Sequence, residues 1–237
     1  MKPTLLLLPG LLCDAAVWEH QQAHLHELAH CVIPDYGMRD SIQAMAEHAL
    51  ESVPEEGPLY VVGHSMGGRI ALQMARMAPQ RISKLVLMDT GPDAISTDPA
   101  LAQQEIDKRM ILVNQAQTQG MRAMGQSWAK GMVHPSRLND PVFEDILQMI
   151  ERKNPEIFAA QINALLHRPD ARAVFTALTC PTFIACGRQD VWSPLSRHEE
   201  MHKILPGSEL LAIEDSGHMT TMEQPEIVTQ ALKQWLF

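Results

Sequence analysis

Three things are missing from this sequence, and each absence removes a class of function. There is no basic run, and the formal charge of -9 sets 19 Lys and Arg against 28 Asp and Glu. Phosphate backbones are bound mainly by clustered cations, so nucleic acid is excluded as the expected partner. No apolar stretch approaches the roughly 20 residues that a membrane helix needs, so no membrane association is expected. Cysteine is scarce, and Cys13, Cys31, Cys180 and Cys186 form neither a Cys-x-x-Cys pair nor a regular framework. Free thiols in a reducing compartment follow, with the cytoplasm as the expected location. Internal repeats and low-complexity segments are absent as well.

What is present fits a globular protein. A hydrophobic content of 46% with 20% charged residues supports a sizeable core, and 237 residues suit one large domain or a domain with a modest insertion. The opening residues, a lysine followed by an apolar run and Cys13, imitate a short signal segment. Leu12 stands where cleavage wants a small residue and Pro9-Gly10 ends the run early, so a buried strand is the reading adopted.

Short apolar runs bounded by turn residues alternate with helical patterns, the signature of βαβ units and a parallel sheet. Strands are predicted over 5–8, 31–33, 59–62, 85–88, 182–186 and 210–213. Helices are predicted over 17–29, 42–52, 66–77, 195–204 and 226–236. Between Asp89 and Phe175 the alternation stops. Helical patterns over 105–114, 121–130, 142–151 and 157–166 are punctuated by Pro135, Pro141, Pro155 and Pro169. An all-helical insertion over 91–175 is expected, with 1–90 and 176–237 forming the core.

The most informative stretch is Val61-Val62-Gly63-His64-Ser65-Met66-Gly67-Gly68, an apolar strand entering a Gly-x-Ser-x-Gly turn and then a helical pattern. A serine on such a turn has its hydroxyl lifted into the open, and neighbours without side chains relieve the crowding. The backbone N–H of Met66, at the helix start, is placed to donate to an oxyanion. A Gly-rich turn that merely packs helix on sheet is the plainer alternative for the motif taken alone.

This chain resembles the α/β-hydrolase superfamily, in particular its small bacterial esterase-like members with a helical cap. The likeness rests on Gly-His-Ser-Met-Gly-Gly at 63–68, the strand Arg81 to Asp89, Gly187-Arg188-Gln189-Asp190 with Pro194, and Gly217-His218 with Glu223-Gln224-Pro225-Glu226. It spans roughly 3–90 and 175–237 in the order Ser, Asp, His. The resemblance implies a mostly parallel six-stranded sheet with a cap, and a serine hydrolase acting on a small ester or lactone. Its catalytic residues would be Ser65, Asp190 and His218, with the N–H groups of Met66 and Leu11 holding the oxyanion. Many relatives carry His-Gly where this chain has Pro9-Gly10, which leaves Leu12 open as the donor instead of Leu11. Asp89, at a strand end that some relatives use, is the rival acid.

Physical chemistry asks for these residue types. Serine at its free pKa is a poor nucleophile, and it needs a neutral imidazole with a carboxylate fixing the tautomer. Activity should therefore fall as pH drops through the histidine pKa, near 6.5 when unperturbed. His20, His24, His26 and His30 have helical i, i+4 spacing but lack the Glu of a zinc-protease helix, and a solvated face is expected there. No cofactor and no metal is called for. His64 is read as packed beside its strand and Cys13 as structural. Met110, Met121, Met124, Met132 and Met149 either line an adaptable pocket or fill gaps between helices. Of Arg109, Arg122, Arg137, Arg152 and Arg168, one or two would suit a substrate carboxylate. The same fold also carries carbon–carbon bond hydrolases, lyases, haloperoxidases and non-catalytic small-molecule receptors. A homodimer is left open.

Overall fold

The computed structural model describes residues 2–237. Six parallel strands form one sheet in the order β2-β1-β3-β4-β5-β6, with β1 Thr4–Leu8, β2 His30–Val32, β3 Leu59–His64, β4 Ile82–Met88, β5 Thr182–Gly187 and β6 Glu209–Ile213. Each predicted run is a strand. Leu5 to Leu8 are fully buried, so the apolar run that imitates a signal segment is the second strand from one edge of the sheet. Strands covered on both faces read as continuous apolar runs, which is why periodicity found them.

The helices of the first half are α1 Glu19–Leu25, α2 Ile42–Glu51 and α3 Met66–Met77. The helix predicted over 17–29 is shorter than expected. A 3-10 turn over Ala15–Trp18, capped by the Asp14 side chain on the N–H of Ala16, precedes α1, and the chain leaves the helix at His26. Five helices fall between β4 and β5: α4 Pro99–Gln119, α5 Met121–Trp128, α6 Pro141–Glu151, α7 Pro155–Leu166 and α8 Arg172–Thr176. The prolines at 141 and 155 sit at the first position of their helices, where a missing N–H costs nothing, and Asp140 and Asn154 cap them. α4 runs well beyond the predicted 105–114. Its signal was weak because only Val113 and Ala116 are buried and most of its residues are polar. The second half closes with α9 Leu195–Ile204, α10 Thr220–Glu223 and α11 Pro225–Leu236.

The strand order places the working edge of the sheet. From β1 the chain moves one way to β2, then returns past β1 to β3 and continues in the opposite direction. Right-handed crossovers put α1 on one face and α2, α3, α8 and α9 on the other. The contacts agree, since α2 and α8 pack on α3 while α1 packs on α11. The reversal between β1 and β3 opens a crevice at their carboxyl ends, where ligands of open α/β sheets bind. Non-glycine residues with positive φ gather along that same edge. Leu12 (60°), Ser65 (54°), Asp89 (50°) and Asp215 (51°) follow β1, β3, β4 and β6 respectively.

Close backbone approach at this edge demands residues without a side chain. A Cβ on Gly67 would collide with the Leu8 carbonyl oxygen. Gly67→Ala should therefore lower the unfolding free energy by about 3 kcal/mol or more, as overpacking of rigid backbone does. Gly207→Ala, at φ 91° in open space, should cost only about 1 kcal/mol. Urea denaturation midpoints of the two variants test the difference, and equal midpoints would contradict it.

Candidate active site

Ser65 occupies the turn between β3 and α3 with φ 54° and ψ -116°. Strain of this kind costs on the order of 1–3 kcal/mol and persists only where the surroundings enforce it. Two hydrogen bonds enforce it here. The Ser65 N–H donates to the Met88 carbonyl at 2.9 Å, and the Thr90 hydroxyl donates to the Ser65 carbonyl at 2.7 Å. The glycine at 63 is also required, because a Cβ there would lie 2.5 Å from the Gly67 oxygen.

The structure brings the three far-apart side chains together. Ser65 Oγ lies 2.8 Å from His218 Nε2, and His218 Nδ1 lies 2.7 Å from Asp190 Oδ2. An ionised carboxylate can only accept, so Nδ1 carries the proton and Nε2 is left to accept from the serine hydroxyl. Asp190 is itself oriented, since its Oδ1 accepts the N–H groups of Trp192 (2.8 Å) and Ser193 (2.9 Å). Asp190 and His218 are buried, while Ser65 is partly open to a cavity.

Asp89 takes a different position. One carboxyl oxygen accepts the Gly187 N–H at 2.9 Å and the other meets the Thr220 hydroxyl at 2.5 Å. It thus pins the strand end that leads to Asp190. An oxygen of each carboxyl and Cys186 Sγ lie within 4.8 Å of one another. Burial first, and then the charge of Asp190, push the Asp89 carboxyl well above the usual carboxylate range. Burial also opposes charge on Asp190, but the His218 imidazole and the hydrogen bonds to it override this and hold Asp190 low. The two neighbouring carboxyls are thus driven in opposite directions, and Asp190 is the one hydrogen-bonded to the imidazole.

His218 is buried, which disfavours its cation, yet the charge and hydrogen bond of Asp190, with Asp89 and Glu223 behind, raise it above 6.5. Its backbone is held by the inserted helices, because its N–H donates to the Met132 carbonyl at 2.5 Å. Glu223 completes that support; the sequence named it only within the likeness of the histidine loop and gave it no role. Its carboxylate accepts the N–H groups of Gly217 (3.0 Å), Met219 (3.1 Å) and His134 (2.7 Å). A glutamate on the helical turn just after a histidine loop was the only available signal. His64 ties the elbow to the same loop, its Nε2–H donating to the His218 carbonyl at 2.7 Å. Burial and the proximity of His218 pull His64 down to about 4, so it is neutral.

The two candidate oxyanion donors after β1 differ in availability. The Leu12 N–H donates to Gln161 Oε1 on α7 at 2.8 Å, a buried bond across the insertion. Among the described residues the Leu11 N–H has no hydrogen-bond partner. Leu11 lines the same cavity of about 510 Å³ as Ser65, Met66 and His218. Of the two candidates in this loop, Leu11 is thus the one left free.

Other sequence expectations separate in the same way. Of the methionines named, Met132 lines the cavity, Met121, Met124 and Met149 are buried between helices, and Met110 is half exposed. Arg109 and Arg168 reach the cavity. Arg122 pairs with Glu144 and Glu151, Arg137 with Asp140, and Arg152 with Asp14. His20 and His24 stack at 4.1 Å and bond to Thr229 and a backbone carbonyl. Cys13 lines the cavity, but burial pushes its thiol up to about 12, so it is no thiolate. No helix among the described residues is long and apolar enough to cross a membrane.

The model of the alpha/beta hydrolase family matches residues 5–231. The chain is 25% identical over 238 residues to a pimeloyl-[acyl-carrier protein] methyl ester esterase of Nitrosomonas europaea, covering 94% of this chain and 92% of that one. It is 26% identical over 215 residues to the 2-hydroxy-6-oxononadienedioate/2-hydroxy-6-oxononatrienedioate hydrolase of Escherichia coli, covering 86% and 74%. Its structure superposes on a thermophilic esterase from Thermogutta terrifontis, solved with malate bound, with a TM-score of 0.89 and 29% identity. That match covers 100% of this chain and 89% of the esterase.

The rival acids can be separated by mutation. Asp190→Asn should lower kcat by roughly 10⁴-fold, because the amide favours the wrong imidazole tautomer. Asp89→Asn keeps the shape of a side chain that has no hydrogen bond to Nδ1, and should stay within about tenfold of wild type. In the wild type the acid limb of kcat/KM should have its midpoint above 6.5, since the raised histidine stays protonated to higher pH. The midpoint should move down in Asp190→Asn, where that support is lost. Ester turnover measured from pH 5 to 9, an interval spanning the ordinary histidine value, checks all three.

Proposed function

The chain belongs to the alpha/beta hydrolase family, and on that premise we propose that it is a serine esterase cleaving a small carboxylic ester or lactone through an acyl-enzyme on Ser65. The observation that carries this reading is the continuous hydrogen-bonded run from Asp190 through His218 to the Ser65 hydroxyl, with spacings of 2.7 and 2.8 Å. Names of esterases among the relatives, at the identities given above, support the same class.

In this mechanism His218 Nε2 takes the proton as Ser65 Oγ attacks the carbonyl carbon. The carbonyl oxygen becomes an oxyanion between the N–H groups of Met66 and Leu11, the first assisted by the dipole of α3. The protonated imidazole then gives its proton to the departing alcohol oxygen. Asp190 stabilises the imidazolium without itself becoming protonated. Water repeats the sequence on the acyl-enzyme and frees the acid. Preorganised donors of this kind are worth roughly 10²- to 10³-fold each in turnover.

The helical insertion serves as the cap over this site. Trp128 of α5 stacks on Trp192 with ring centroids 5.2 Å apart, and Trp192 stands 5.2 Å from the His218 ring. Such a roof keeps bulk water from the imidazole while the acyl-enzyme lasts. The free cysteines support a reducing location, the cytoplasm.

A fluorophosphonate probe should label the wild type and leave Ser65→Ala unlabelled. Short-chain p-nitrophenyl esters should then be turned over by the wild type and not by that variant. Labelling with no turnover of any ester or lactone would favour the lyase or receptor chemistry that the fold also supports.

A further inference from the structure

One end of the catalytic cavity carries a charge pattern that ester hydrolysis alone does not require. Five cationic side chains line it, Arg69, Lys108, Arg109, Arg168 and Arg197, against the single carboxylate of Glu105. This occurs in a protein whose formal charge is -9. Glu105 is already paired twice. Arg168 grips it with both terminal nitrogens at 2.7 and 3.0 Å, and Arg109 Nε donates to it at 3.0 Å. Arg69, Lys108 and Arg197 meet no carboxylate among the described residues within ion-pair distance. Arg69 Nη1 donates to the Asp93 carbonyl at 2.6 Å and Arg168 Nε to the same oxygen at 3.2 Å, so two guanidiniums converge on one point.

Gathering like charges at a half-enclosed wall is unfavourable unless something of opposite sign enters. Burial first, and then Arg168, Arg197 and Arg109, pull the Arg69 guanidinium down to about 9. It is still a cation at neutral pH, crowded in a way that an anion would relieve. Placement fits a substrate group. Arg69 stands four residues after Ser65 at the start of α3, about one helical turn of 5.4 Å away. Leu112, Ile162 and Leu165 supply apolar wall in the same cavity, suited to a short methylene spacer.

We propose that this wall is a carboxylate subsite, and that the preferred substrate is an ester bearing a free carboxylate at the far end of a short chain, held by Arg69, Arg197 and Lys108. The proposal rests on the esterase reading above and names its substrate class. Arg69 and Arg197 come from core helices rather than from the insertion, so both parts of the chain build the subsite. Arginine suits the task because its planar fork meets a carboxylate with two parallel hydrogen bonds.

The test compares charged and neutral esters of matched length. One arm sets monomethyl glutarate against methyl pentanoate, placing the carboxylate on the acyl side. The other sets 3-acetoxypropionate against propyl acetate, placing it on the alcohol side. In at least one arm kcat/KM for the charged ester should exceed that for the neutral one by about tenfold or more, as hydrogen bonds to charged groups allow. The preferred arm assigns the side of the ester that faces the cations. In that arm Arg197→Gln and Lys108→Gln should each lower the charged-to-neutral ratio, Arg197→Gln by about tenfold. The exposed Arg172→Gln should keep the wild-type ratio. Glutarate should also inhibit turnover of a neutral ester more strongly than butyrate does, a readout of binding that needs no charged substrate. Neutral esters turned over with no preference in either arm, or a ratio unmoved in both variants, would overturn the subsite alone. Absence of all ester turnover together with absence of probe labelling would instead remove the esterase reading.

Discussion

A backbone conformation that serine does not adopt freely underlies the whole site. Ser65 sits at φ 54° because its N–H is tied to the last residue of β4, Met88, and its carbonyl to Thr90 just beyond it. The turn can close only where Gly63 and Gly67 let β3, α3 and the end of β1 touch backbone to backbone. Strain here is not relieved by local rearrangement, because every neighbour of the turn is a rigid element of the sheet edge. The hydroxyl is thus fixed before any ligand arrives, and the imidazole has only to be delivered to it.

Delivery of the imidazole draws on most of the molecule. The His218 loop is held by Glu223 through three backbone N–H groups, by Met132 of the insertion and by His64 of the elbow. Two buried carboxyls near it have opposite characters. Burial and Asp190 push the Asp89 carboxyl up, while the imidazole and the N–H groups of Trp192 and Ser193 hold Asp190 down. Proximity to a histidine therefore does not identify the acid. What separates the two carboxyls is the hydrogen bond to Nδ1, and the loop after β5 gives that bond to Asp190.

The inserted helices are joined to the chemistry rather than laid over it. Gln161 of α7 takes the Leu12 N–H, and the neighbouring Leu11 lines the cavity. Met132 holds the histidine loop, and Trp128 stacks on Trp192. Any movement of the insertion would be felt at the oxyanion loop and at the base together. The same insertion supplies Glu105, whose pairing with Arg168 and Arg109 sets how many cations remain free on the cavity wall.

Sequence alone determined the alternation of strands and helices and the elbow, because these rest on local periodicity and on a contiguous motif. All six predicted strands exist, and 66–77 and 195–204 match their helices end to end. It could not extend α4 to Pro99–Gln119, since a helix whose polar residues face a cavity has almost no apolar stripe to read. It favoured Leu11 over Leu12 through resemblance alone and Asp190 over Asp89 on residue type, strand position and chain order, left the arginines undivided, and gave no sign that Arg69 and Arg197 belong on one wall with Arg168. Those choices turn on which hydrogen bonds and charges meet across separations as long as the 149 residues from Leu12 to Gln161. Such meetings are decided by packing in three dimensions, where local pattern carries no information about what lies opposite.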